Sequence, residues 1–166
     1  MKKKKLFDRI FLIKKKFGQK EDYFYLKVPK ASIIVPIYKK KFLVVSQKRI
    51  PLNKVTYEFP GGLVDRGNNA EKTALIELEE ETGFKAIDRP KKILELFPDA
   101  GRLDSTYECF FVNKLRKVGK PERGIKLHFY NKKKILSLIK RKKFSHACHI
   151  SAFLFLIIQN KYLSNK

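Results

Sequence analysis

YEFPGGLVDRGNNAEKTALIELEEETGF, residues 57–84, is the stretch whose reading decides the fold. Within it Glu77, Glu80 and Glu81 stand at i, i+3 and i+4, so a helix would carry all three carboxylates on one face. Crowding like charges there costs a few tenths of a kcal/mol per pair. The same residues lie just before Gly83, the expected C-terminal cap, where the helix dipole disfavours anions. Of the chain's 16 acidic residues, five (Glu71, Glu77, Glu79, Glu80 and Glu81) fall within this one helix. A helix that accepts both penalties in a basic protein is expected to bind a cation. Hard divalent ions that prefer oxygen ligands suit it, Mg2+ above all, with Mn2+ as the alternative. The helix is expected to start at Asn68 or Asn69, both good caps, with Glu71 three after Asn68 as in a capping box. It should run to about Thr82, with Ala74 and Leu78 facing inward.

From Gly62 onward the spacing resembles the Nudix box, G-x5-E-x7-R-E-U-x-E-E-x-G-U, where U is a bulky apolar residue. Gly62, Glu77, Leu78, Glu80, Glu81, Gly83 and Phe84 match in register. Asn68 stands where the family has its first Glu, and Ile76 where it has Arg. Upstream, Gln47, Arg49, Pro51, Glu58, Pro60 and Gly62 resemble the Q-x-R-x-P and E-x-P-x-G segments of the ADP-ribose pyrophosphatase branch. Downstream, Pro98, Gly101 and Asp104 fit that branch's substrate loop, whereas Ala100 and Ser105 depart from it. The resemblance implies an α/β fold, a Nudix-like α/β/α sandwich with a mixed sheet and a short amino-terminal β region.

It also implies a reaction: Mg2+-dependent hydrolysis of the diphosphate linkage in a nucleoside diphosphate derivative, ADP-ribose or another nucleotide sugar. Dense charge on the diphosphate calls for metal ions to neutralise it and to generate the attacking hydroxide. Glu77 and Glu81 are expected as metal ligands and Glu80 as ligand or base, with Gly62 letting the backbone approach the ion. Glu122, in a later loop, is a candidate general base. Arg49, Glu58, Gly101 and Asp104 are the substrate-binding candidates. For Arg49 a guanidinium fork on phosphate stands beside an ordinary solvated charge; for Glu58 pairing with a nearby Lys stands beside substrate contact. Residues 97–105 also read as no more than a polar turn. The loss of Arg at Ile76 removes a salt bridge that orients the box carboxylates, and Asn68 brings no charge to the metal.

The remaining chain reads as one domain over residues 1–166, long enough for a proper core. Residues 6–30 suggest two or three short strands turning at Gly18 to Asp22, and the resemblance makes residues 1–30 a region for homodimer contact. Residues 31–37, ASIIVPI, are nearly all apolar and read as a buried strand, hairpinned through Lys39–Lys41 to residues 42–46. Pro36 marks an edge or bulge. Residues 47–62 read as a loop and a short strand. Residues 92–97, 107–113 and 126–130 read as further strands, with residues 116–124 a basic loop. Residues 131–143 form a basic amphipathic helix with Ile135, Leu138 and Ile139 inward, and residues 145–160 a final apolar one. His146, Cys148 and His149 lack the fourth partner of a zinc site and read as packing and capping at that helix start.

A net charge of +23 points to anionic partners: a small-molecule nucleotide, or nucleic acid. Only 8 of the 39 basic residues are Arg, and the lysines are spread along the chain, so a general Lys bias explains the charge equally well. Two cysteines make no disulfide framework. Asp8 and Arg9 interrupt the first apolar run, so no secretory signal is expected, and residues 150–158 are too few to span a bilayer. A cytoplasmic protein with no membrane contact is expected. Three functions stay open: the nucleotide-sugar hydrolase, a weak Nudix domain that binds nucleotide or nucleic acid, and an RNA 5′-end pyrophosphohydrolase.

Overall fold

The computed structural model describes residues 2–18 and 21–159. Strands β1 (Lys2–Phe7), β2 (Ile10–Phe17) and β3 (Glu21–Lys27) form an antiparallel ribbon, so the amino-terminal lysine run is itself a strand. Then come β4 (Ala31–Tyr38), β5 (Lys41–Arg49), β6 (Lys54–Glu58) and β7 (Gly61–Leu63). Helix α1 (Ala70–Thr82) leads to β8 (Phe84–Ala86), β9 (Lys91–Leu96), β10 (Leu103–Asp104), β11 (Tyr107–Val112), β12 (Leu115–Lys117) and β13 (Lys126–Tyr130). Helices α2 (Lys132–Lys140) and α3 (Ala147–Ile158) close the chain.

Among the described residues the main sheet has seven strands, in the order β13-β5-β4-β11-β9 with β6 on β5 and β7 on β4. It is mixed: β4 and β11 run parallel, while its other pairs are antiparallel. Strand β4 is central, as its apolar run requires, since both faces need cover. Alternation then sorts the core into two layers. Ile33, Val35, Val44 and Phe111 face α2 and α3 through Ile135, Leu138, Ala152, Phe153 and Leu156. Ile34, Leu43, Phe110 and Val112 face α1 through Ala70, Ala74 and Leu78. The expected sandwich is present, and with it the amino-terminal β region, joined by β10 into a separate four-stranded sheet.

Several local expectations change. Pro36 marks no edge: β4 pairs with β7 at residues 31–33 and with β5 at residues 37–38, and Pro36 sits in the gap, where its missing N–H costs nothing. Lys39 and Lys40, both at positive φ, make the two-residue turn. Gln47 and Arg49 belong to β5, not to a loop. The basic segment from residue 116 starts as strand, because Leu115–Lys117 pairs with β8. No helix among the described residues is long and apolar enough to cross a membrane.

Candidate active site

Asn69, not Asn68, caps α1, its side chain accepting from Lys72 N at 2.8 Å. The capping box is therefore absent, and Glu71 pairs instead with Arg89 at 2.8 Å. Ser32 of β4 ties down the first turn by donating to the carbonyl of Ala70 at 2.7 Å. At the far end Gly83 sits at φ 72 and donates to Glu79 O. A side chain there would also strike Gly119 O at 2.4 Å, so only glycine lets the next loop dock on the cap. With both ends fixed, α1 lays its glutamates against β7. A Cβ on Gly62 would stand 2.0 Å from Glu77 Oε1, so that carboxylate occupies the place a side chain would fill. Glu81, 6% exposed, accepts from Gly61 N at 3.1 Å through Oε2 and from Gln47 Nε2 at 3.2 Å through Oε1.

The electrostatics are those of anions held together. Burial raises the Glu77 carboxyl above its usual range, and the charges of Glu80, Glu122 and Asp65 raise it further. Burial pushes Glu81 up to about 7, assisted by Glu77 and Glu58, against the Gly61 amide and Arg49. No basic residue occupies the last turn of α1. Glu77 and Glu81 form no ion pair among the described residues, and carboxylates so placed near a helix C-terminus fit a hard divalent ion by donor chemistry. Among the described residues, no three acidic, His or Cys side chains stand as a preformed metal cluster.

Beside the glutamates the β5–β6 ladder presents a polar row. Gln47 lies opposite Thr56, and Arg49 is two residues further along the same face. Glu58 is 1% exposed and pairs with Arg49, not with a lysine: Nε donates to Oε1 at 2.9 Å, Nη2 to Oε2, and the Thr56 hydroxyl to Oε1. Burial would raise this carboxyl, but the hydrogen bonds from Arg49 and Thr56 hold it down at about 2. Arg49, Glu58, Gly61, Gly62, Tyr107, His146 and His149 all line one cleft of about 330 Å³. His149 accepts from Phe59 N at 3.1 Å through Nδ1, and burial lowers its pKa to about 3. His146 holds the N-cap position of α3 without a side-chain capping bond.

The structure thus gathers Glu77, Glu81, Gly62, Arg49 and Glu58 at one place. Glu80 is exposed on the same helix, and the Glu122 amide donates to its carbonyl at 2.8 Å, bringing the Glu122 loop alongside. Gly101 and Asp104 lie elsewhere. They line a second depression of about 680 Å³ with Lys15, Lys16, Tyr23 and Tyr25 of the amino-terminal ribbon. There Asp104 pairs with Lys27 at 3.5 Å, and Asp99 Oδ1 caps the turn by accepting from Gly101 N and Arg102 N. Ile76 is 36% exposed on α1, and Asn68 only precedes the cap. Sequence reasoning missed Gln47 as a contact of Glu81, and with it Thr56 and Tyr107. The signal available was the alternation Gln47, Arg49 and Thr56, Glu58, two polar pairs at strand spacing.

A model of the NUDIX domain matches residues 28–133. The chain is 37% identical over 75 residues to an ADP-ribose pyrophosphatase of Bacillus subtilis (strain 168), which covers 45% of this chain and 40% of that protein. It is 32% identical over 108 residues to a CMP-5'-(N-acetyl-N-hydroxy-3-aminopropyl)phosphonate hydrolase of Streptomyces rubellomurinus (strain ATCC 31215), covering 63% and 50%. The matches thus span half or less of these relatives' own length. In fold, a crystal structure of an ADP compounds hydrolase superposes with a TM-score of 0.77 at 19% identity, covering 92% of this chain and 85% of the other.

Proposed function

The chain belongs to the Nudix family, and from that premise we propose that it hydrolyses the diphosphate linkage of a nucleoside diphosphate derivative, ADP-ribose or another nucleotide sugar. One observation carries the reading: Glu77 and Glu81, raised by burial and by neighbouring carboxylates, meet the Gly61–Gly62 backbone where the Arg49–His149 cleft begins. The names of the Bacillus relative and of a Mus musculus ADP-sugar pyrophosphatase, 46% identical over 43 residues (26% of this chain, 20% of that protein), support the substrate class.

Glu77 and Glu81, with Glu80, would hold Mg2+ or Mn2+ beside the Gly62 backbone. Such an ion, when bound, neutralises diphosphate charge and acidifies water. The residues themselves do the rest. Gly62, with no side chain, leaves the room that the Glu77 carboxylate takes up against the backbone. The cleft walls take the organic part of the substrate, excluding water from it. Arg49, its Nε and Nη2 engaged by Glu58, lends positive potential there rather than a free fork. Glu80 or Glu122 accepts the proton as water oxygen bonds to phosphorus, the bridging P–O bond breaks and two monophosphates leave.

An acidic working end to the cleft favours this reading over a nucleic-acid binder or an RNA 5′-end enzyme, because a long polyanion would meet the glutamates unscreened. Cys109 and Cys148 are free thiols, in keeping with a reducing cytoplasm. A homodimer through the exposed edge of β1 is part of the same proposal, although Lys2–Lys5 guard that edge. The test is a hydrolysis screen with and without Mg2+ over ADP-ribose, other nucleotide sugars, dinucleotides and capped RNA. Turnover of capped RNA alone would overturn the substrate class.

A further inference from the structure

We infer that Gln47 is the positioning residue for Glu81, holding that carboxylate from strand β5; this rests on the reading that Glu77 and Glu81 bind a divalent cation. Glu81 has one donor on each oxygen: the Gly61 amide on Oε2 and the Gln47 side-chain amide on Oε1. Two donors at two oxygens fix the carboxylate plane as well as its place. Nothing on the helix does this. Its last turn has no basic residue, position 76 is an apolar side chain facing outward, and Glu79 is taken by Lys85 at 3.0 Å.

The chemistry of the donor matters. A lysine or arginine in hydrogen-bond contact with Glu81 would satisfy its charge and compete with an incoming cation. An amide N–H orients one oxygen and leaves the charge unneutralised. Burial makes the contact costly to lose, because Oε1 of a carboxylate 6% exposed would be left without a donor. Gln47 is itself fixed, in register with Thr56 on the ladder where Arg49 and Thr56 lock Glu58. Of this row of four side chains, Gln47 is the one that hydrogen-bonds across to α1 among the described residues.

Mn2+ binding to metal-free protein tests this, read as loss of the free-ion electron paramagnetic resonance signal, for wild type, Gln47→Leu, Gln47→Asn and Glu81→Gln. Gln47→Leu should weaken Mn2+ about ten-fold or more, the scale of an outer ligand contact, and raise the Mg2+ needed for half-maximal hydrolysis by the same factor. Its kcat at saturating metal should stay near wild type. Gln47→Asn keeps the polarity but withdraws the donor by one methylene, and should weaken Mn2+ in the same direction even if the leucine variant does not fold. A purely structural role would lower the urea midpoint and leave Mn2+ affinity alone. Wild-type affinity in folded Gln47→Leu or Gln47→Asn, with Glu81→Gln impaired, overturns the role of Gln47 alone. No Mn2+ binding by wild type, or full binding by Glu81→Gln, overturns the cation reading and this inference with it.

Discussion

The Arg49 guanidinium grips Glu58 with two nitrogens, Nε at 2.9 Å from Oε1 and Nη2 on Oε2, closing a fork over a carboxylate that is 1% exposed. Two residues that could each have served a substrate are thereby first of all partners of one another. Removing Arg49 leaves the Glu58 charge buried without its partner. Arg49→Ala should therefore destabilise the fold by about 3 kcal/mol or more, whereas trimming a solvated arginine costs at most about 0.5 kcal/mol. Urea unfolding of the metal-free protein measures it, and an unchanged midpoint would show that Glu58 finds another partner.

Acid should weaken the fold through two buried groups. His149 has an ordinary pKa of 6.5 but about 3 when folded, so the unfolded chain takes up a proton first as pH falls. Its contribution is intact above pH 6.5 and declines toward pH 3, by about 1.4 kcal/mol per pH unit for one proton. Glu58, lowered from 4.5 to about 2, adds a second loss that begins near pH 4.5. Glu81, raised to about 7, acts in the opposite sense between pH 7 and 4.5, so the comparison must isolate the histidine. His149→Gln keeps an acceptor for Phe59 N but cannot titrate. Urea midpoints should fall less steeply from pH 6.5 to 4.5 in that variant than in wild type, and parallel slopes would contradict the assignment.

Adjacent glycines should fail differently. A Cβ on Gly61 would meet Ser32 O, a backbone atom, at 2.3 Å, so Gly61→Ala should cost about 1–3 kcal/mol of stability by overpacking. The nearest atoms to a Cβ on Gly62 are those of the Glu77 carboxylate, the end of a flexible side chain that can swing aside. Gly62→Ala should fold nearly as well as wild type yet lose about 100-fold in turnover, the scale of a 1 Å misplacement. Thermal melts and hydrolysis rates of both variants check this, and equal loss of stability would contradict it.

These contrasts mark what could be read from the residues alone. Helix α1, its inward Ala74 and Leu78, and the central place of β4 were legible because carboxylate spacing, capping chemistry and a continuous apolar run are local. The two-stranded piece made by Phe84–Ala86 and Leu115–Lys117 was not, since three residues carry no period. Arg49 and Gln47 stood in a recognised segment, but their partners follow from the register of β5 against β6 and of β5 against α1. Those contacts, such as Gln47 with Glu81 34 residues away, exist only after the sheet closes.

The two departures from the box can be reversed. Ile76 is exposed one turn before Glu80, so Ile76→Arg has room and a partner at i+4. Asn68→Glu adds negative charge ahead of α1. Together they should raise turnover at limiting Mg2+ by at most about ten-fold, the low end for outer contacts to a metal site, and fade at saturation. A dead binder would stay inactive on every diphosphate substrate, so turnover against Mg2+ concentration decides between the two.

Most direct of all is ADP-ribose hydrolysis by wild type and Glu81→Gln, followed against Mg2+ concentration with urea unfolding in parallel. Wild type should turn over only with the metal. Glu81→Gln should lose more than the about 100-fold that an outer contact accounts for, while folding at least as stably, because a buried carboxyl held up at about 7 is replaced by a neutral amide. Wild-type turnover by Glu81→Gln at saturating Mg2+ would contradict it.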